Sequence, residues 1–424
     1  MGIELGAKNL YKAYGVPSLD LTFADKKSLV DRISGNNLIT FTRVMTGASV
    51  ATYVGADGLI KTAGNNVPRF DHNPTTGESL GMLVEEARTN LITYSQAFNN
   101  TNYSIGYDGG GFTENATVAP DGTLTASKLT RNTGTSGAFW GKYNRQSIPV
   151  TNGTAYTLSC FLKAAEITTV QLYGDVRDGG GLGFSAAFTL TGSGSYVLSS
   201  GTSAQISSAG NGWYRCSVTG TSASTDDEEP ALLVFGTGAS GDGFFAWGFQ
   251  LEAGSFPTSY IPTTSATVTR AADVASITGT NFSSWYRQDE GTVFCQGISN
   301  SVSNSAYWTL QGTSSNGASV LVYPANNLTY QVVNSSFQVN SSFASYPAVA
   351  SVKTAAAIKL NNFAVVANGG TITSDTSGTV PAATSFVIGN YLGGGTSYDY
   401  SGTIARLTFY PTRLQDSQLQ QLTK

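Results

Sequence analysis

Histidine is almost absent from this chain of 424 residues. His72 stands alone, which excludes a multi-histidine metal centre and leaves a histidine-based catalytic triad with a single candidate. It lies in RFDHNPTTGES, a turn-rich stretch that suits a structural role. Cysteine is scarce too. Cys160, Cys216 and Cys295 are an odd number at wide spacings, which argues against both a disulfide framework and a zinc site. In YTLSCFLKA, Cys160 shares a strand face with Tyr156, Leu158 and Leu162 and reads as a small buried apolar residue; Cys216 in WYRCSV reads the same way. Charged residues make up 12% of the chain, about half of the roughly 25% usual for soluble domains. The balance of 23 Lys plus Arg against 27 Asp plus Glu leaves a formal charge of -4 and no basic stripe, so nucleic acid is not an expected partner. No apolar run approaches the roughly 18 residues of a membrane span, and MGIELGAKNLYKAYG lacks the apolar core of a secretory signal. No membrane insertion is expected, and synthesis in a cytoplasm is. The P-loop pattern GxxxxGK[ST] is missing as well.

What the chain has in abundance is glycine, 49 residues of it, set between short β-branched and aromatic runs. This predicts an all-β protein: two β-sandwich, jelly-roll domains preceded by a small extended β region. Residues 1–95 contain LITFTRV and ATYVG as short strands with GADG as a turn, and read as an attachment region without which the two lobes should still fold. Residues 96–263 space YTLSCFL, TVQLYGDV, FSAAFTL, WYRCSV and ALLVFG as the strands of a first sandwich. Its last strand, FFAWGFQL, alternates with period two and sets Phe245, Trp247, Phe249 and Leu251 on one face; Trp213 and Trp247 are assigned to the core. Pro257 and Pro262 then carry the chain out of the sheet as an extended strap, anchored by Phe256 and Tyr260, that should hold the two lobes in a fixed relative orientation. Residues 264–424 form the second sandwich, where TIARLTFY turns Ala405, Leu407 and Phe409 one way. The tail TRLQDSQLQQL is a short helix with Asp416 as N-cap.

The cassette ATYVGADGLIKTAGNNVPRFDHNPTTGESLGMLVEEARTNLITYS, residues 51–95, resembles one found in tailed-bacteriophage virion proteins, mostly tail fibres and related appendages. In that family it precedes a carbohydrate-binding-like jelly roll that ends much as WGFQLEAGSFPTSYIPT does here, and NGWYRCSV fits it too. Residues 384–422 resemble the closing strands and final helix of concanavalin A-like, laminin-G-like sandwiches. The resemblance implies a virion subunit, made in the cytoplasm of a bacterial host, which meets other phage virion proteins through its N-terminal region and host surface polysaccharide through its sandwiches. By analogy to phage fibres it implies a homotrimer. A non-binding adaptor, head-fibre or capsid-decoration protein is the alternative, and a glycan depolymerase a further one.

Sugar recognition asks for exposed aromatic faces flanked by amide or carboxylate groups. In the first sandwich the candidates are Tyr107, Trp140 and Tyr143, in or near Gly- and Asn-rich segments; in the second they are Trp308, Tyr391, Tyr398, Asp399 and Tyr400, around the GGG loop. No cofactor is required. Asp108, Asp175 and Asp178 stand beside Gly turns where carbonyls could join carboxylates around a structural calcium, an ion that jelly rolls of this kind often carry. No catalytic residue is assigned and the chain is not expected to be an enzyme. Its adjacent acids, Glu85 with Glu86, Asp226 to Glu229, and Asp289 with Glu290, are runs of neighbours, and the glucanase-like alternation of Glu, Asp and Glu is absent.

Overall fold

Alternating hydrophobicity in the middle of the chain builds two stacked sheets. The computed structural model describes residues 14–45, 49–106, 110–131, 139–143, 148–175, 182–234, 238–300, 305–313, 316–323, 327–345, 350–390 and 400–424. Among them, one sheet of the first sandwich runs in the order Ser203–Ser208, Trp213–Thr221, Ala155–Ala164, Gly243–Ala253, Ala126–Thr130 and Gly111–Thr117. Facing it lie Ser195–Ser200, Ser185–Thr189, Thr169–Tyr173, Ala231–Val234, Phe139–Tyr143 and Tyr103–Gly106. Leu158, Cys160 and Leu162 point between the sheets with Val170, Leu172, Phe188 and Leu232, as the strand faces predict. All three cysteines are free and buried, and burial pushes their thiols up.

The second sandwich does not begin at residue 264. Its first sheet centres on Gly402–Tyr410, flanked on one side by Glu290–Ser299. On the other side two strands from the start of the chain share its edge: Ser79–Val84 pairs with its first half and Leu19–Leu21 with its second. The facing sheet is likewise edged by Thr40–Thr42, paired with Val274–Thr278. Leu19, Leu21, Phe23, Leu38, Ile39, Phe41, Met82 and Val84 enter the same core as Val293, Trp308, Leu407 and Phe409. The expected boundary at residue 95 is therefore corrected: Leu19–Leu21, Thr40–Thr42 and Ser79–Val84 are strands of the second sandwich, Ile92 already packs in the core of the first, and the first sandwich is inserted between these strands and the rest of the second.

Two β-bulges overturn the simple face assignments. Between Ser159 and Phe161 the ladder to the last strand of the first sandwich slips by a residue, opposite Gly248, whose φ is +66°. Phe244 and Ala246 thus join the inter-sheet core together with Phe249 and Leu251, while Trp247 turns outward. With Trp213, Phe161 and Tyr260 it forms a separate buried cluster on the outer face of the sheet. A Cβ on Gly248 would lie 3.2 Å from the Tyr260 ring, so the glycine that permits the bulge also admits the strap. In the second sandwich a slip between Gln296 and Gly297 lets Ile404, Leu407 and Phe409 face the core and leaves Ala405 out of step. The C-terminal helix Asp416–Leu422 is capped one residue earlier than predicted, by Gln415 in a reciprocal pair with Gln418.

At about 1.5–3 kcal/mol for each fully buried apolar side chain, the eight residues named above from the first 95 rival the roughly 5–15 kcal/mol by which a domain is stable. A chain lacking residues 1–95 is therefore expected to lose the second sandwich. Denaturant unfolding followed by tryptophan fluorescence would show one cooperative transition fewer than the full chain; two intact transitions would restore the boundary at 95.

Candidate functional site

The cassette of residues 51–95 folds around buried charge. Arg69, Glu85, Arg270 and Asp273 lie at or just beyond strand ends, and each is shut from solvent. Asp273 accepts from Arg43 Nη1 at 2.7 Å, from Arg69 Nη2, and from the Glu85 amide at 3.0 Å. Glu85 meets Arg69 at 2.8 Å and Arg270 at 3.1 Å, and its two carboxylate oxygens accept from the Ser259 amide and hydroxyl, each at 2.6 Å. Burial alone would raise Glu85, but the Arg270 and Arg69 guanidiniums and Ser259 reverse this and bring it to about 2. One carboxylate thereby ties the N-terminal strands to the strap, and the other ties them to the re-entry point of the chain.

The strap is fastened in the same way along its length. Asn90 donates to the Phe249 and Ile261 carbonyls and accepts from the Leu251 and Ile92 amides, which uses its whole side chain. Glu252 accepts from the Thr258 amide at 2.9 Å and hydroxyl at 2.7 Å, and Gln250 accepts from the Ile261 amide at 2.7 Å. Phe256 is buried under the Arg88 guanidinium, 5.1 Å from the ring centre, and Tyr260 under Phe161 and Trp247. The strap with its two aromatic anchors stands as read from the sequence.

Bridged by this clasp, the outer face of the first sandwich and an edge of the second enclose a cleft of about 910 Å³. One wall carries Phe161, Tyr196, Gln205, Ile206 and Arg215; the other carries Asp71, His72, Asn300 and Thr403. His72 Nδ1 lies 3.0 Å from the Val54 carbonyl, which assigns the proton to Nδ1, while the buried Nε2 has no partner. Asp71 accepts from the Val54 amide at 2.6 Å. Burial, aided by the charge of Glu85 and opposed by that amide, pushes its carboxyl up to about 6.

None of these cleft residues except His72 stood out in the sequence, and the residues that did are elsewhere. Trp308 is fully buried, stacked on Phe386 in the second core, and Tyr400 is fully buried with its hydroxyl donating to the Ile298 and Thr403 carbonyls at 2.7 and 3.0 Å. Neither presents a face to a sugar. The backbone places Trp140 and Tyr143 on strand Phe139–Tyr143, but their side chains lie outside the description. Tyr107, Tyr391, Tyr398 and Asp399 lie outside the described residues, as do Asp108 and Asp178. The remaining calcium candidate, Asp175, is buried and accepts from the Glu229 amide at 3.0 Å. Among the described residues no three His, Cys, Asp or Glu side chains converge as a metal site. The letters GESLG at 77–81 fit a nucleophile-elbow pattern, yet Ser79 sits within a hairpin strand rather than on a strand-to-helix turn.

No family model matches the chain, and no curated protein matches it. Solved structures do. The Ruminococcus gnavus IT-sialidase CBM40 bound to α2,3 sialyllactose matches with 17% identity and a TM-score of 0.29, over 32% of this chain and 83% of that one. Domain 4 of AbnA, a GH43 extracellular arabinanase from Geobacillus stearothermophilus in complex with arabinotriose, matches with 17% identity and a TM-score of 0.30, over 36% and 73%. The mouse laminin alpha1 chain, domains LG4-5, matches with 8% identity and a TM-score of 0.26, over 65% and 88%.

Glu85→Gln leaves Arg270 buried without its paired carboxylate and removes one of the two that face Arg69, and is expected to cost about 3–5 kcal/mol in denaturant unfolding; a loss below 1 kcal/mol would show the clasp to be dispensable. Asp71 predicts a pH dependence of its own. Its folded value lies above its unfolded one, so its contribution is present at low pH and is lost as pH rises from about 4 through 6. Asp71→Asn, which keeps an acceptor for the Val54 amide, should flatten the melting temperature across that window relative to the parent chain.

Proposed function

We propose that the chain is a structural subunit of a bacteriophage virion appendage, of tail-fibre or spike type, which binds host cell-surface glycans during adsorption without catalysis. The reading rests first on one observation: the cassette that resembles tailed-phage appendage proteins is the segment that clasps the strap and locks two sandwiches around an open cleft. A rigid pair of sandwiches with a polar and aromatic cleft suits repeated weak binding, because linking modules on one particle raises avidity by about two to four orders of magnitude. Homotrimerisation, contact with other virion proteins through the N-terminal region, residence in the virion after synthesis in the host cytoplasm, and structural calcium at the Asp-Gly turns belong to the same proposal.

A glycan depolymerase is a second reading, favoured by Asp71 and Glu85, two acids near one small cavity whose environments push their pKa values apart. Against it, both Glu85 oxygens already accept from Ser259, and Arg69 and Arg270 pair with its Oε2, so the carboxylate is engaged as a structural counter-charge.

The assembled multimer, tested on bacterial cells and on a panel of capsular and O-antigen polysaccharides, is expected to bind at micromolar subunit concentration and to release no reducing sugar. Absence of binding to every surface would leave the non-binding adaptor, head-fibre or decoration role. Sugar release abolished by Asp71→Asn would establish the depolymerase.

A further inference from the structure

We propose that the cleft between the sandwiches is the saccharide site, and that it takes a carboxylate-bearing sugar with Arg215 as the anchor for the carboxylate. The inference rests on the glycan-binding reading and deepens it. Arg215 is the exception among the guanidiniums of the junction. Arg43, Arg69, Arg270 and Arg88 each lie within ion-pair distance of a carboxylate. Among the described residues Arg215 has none: its hydrogen bond there runs from Nη2 to Ser159 Oγ at 3.3 Å, and its buried Nε is unpartnered. Its plane is held 5.2 Å above the Phe161 ring, which orients the fork without using its donors. Burial lowers its affinity for the proton, opposed by the charges of Glu252 and Glu85. A half-buried guanidinium with free donors on a cleft wall is matched by an incoming carboxylate, which it can hold in two parallel bonds.

The rest of the cleft fits a pyranose. Tyr196, 48% exposed on the edge strand Ser195–Ser200, offers a ring face. On the opposite wall His72, only 4% exposed, has its Nε2 lone pair unmatched, and Asn300 supplies an amide for hydroxyls. The volume falls within the roughly 300–1,000 Å³ of ligand sites. The lining holds one guanidinium and no lysine, and it includes the carboxyl of Asp71. A singly charged carboxylate suits that balance better than a doubly charged phosphate.

The test titrates the full chain, by calorimetry or saturation-transfer NMR, with matched disaccharides that end in glucuronic acid, in glucose or in glucose 6-phosphate. The acidic sugar should bind at least about tenfold tighter than the neutral one, a preference that weakens with added salt. Arg215→Gln should erase the preference; Arg215→Lys should retain part of it; Asn300→Ala, across the cleft, should weaken both sugars. Equal binding of acidic and neutral sugars, tighter binding of the phosphate, or an acid preference that survives in a folded Arg215→Gln chain would overturn the assignment while leaving glycan binding intact. If neither these sugars nor any surface polysaccharide binds, the glycan-binding reading itself fails.

Discussion

Two carboxylates taken out of water, Glu85 and Asp273, decide how this molecule is put together. Each accepts from groups that belong to different stretches of chain: Asp273 from Arg43, Arg69 and the Glu85 amide, Glu85 from Ser259, Arg69 and Arg270. A buried ionic cluster gives up stability relative to a well-packed apolar plug, but a partner removed from it leaves an uncompensated charge. The arrangement therefore tolerates little sliding. The strap, the N-terminal strands and the re-entering chain share one register, and the cleft between the sandwiches inherits its shape from that register.

The same constraint explains why one sandwich sits inside the sequence of the other. Ser79–Val84 and Leu19–Leu21 complete the edge of the sheet around Gly402–Tyr410, so the second lobe cannot close until both ends of the chain are in place. The first lobe is then an insertion whose exits must be brought together, and the clasp does this. Close approaches are specific at the level of single atoms: at the strap a Cβ on Gly254 would fall 1.3 Å from Arg88 Nη1, and within the second sandwich a Cβ on Gly81, at φ +105°, would meet the Ile404 carbonyl at 2.1 Å.

Much of the fold was legible. Strands, turns, buried cysteines and the anchored strap follow from period-two hydrophobicity and turn chemistry, which act over a few residues. The bulges at Gly248 and Ala405 were not, because one extra residue in a ladder is decided by the partner strand. Nor was the role of Glu85: EEAR looks like a solvated run until Ser259 and Arg270 are folded against it. Aromatic residues near glycine loops were a poor guide to the cleft. Trp308 and Tyr400 have the composition of a sugar platform but point into the core, whereas Tyr196 is exposed on an edge strand.

By itself the amino-acid sequence determined the class of the protein, the existence of two sandwiches and the anchoring of the strap, since each depends on local alternation and on residues with few permitted conformations. Tertiary structure alone decided that N-terminal strands complete the second sandwich, which acids are buried and paired, and that His72 and Arg215 line one cleft. Those outcomes depend on contacts between residues far apart in the chain, 230 positions for Arg43 with Asp273 and 386 for Asp20 with Arg406, and no local pattern encodes the partner of a charge.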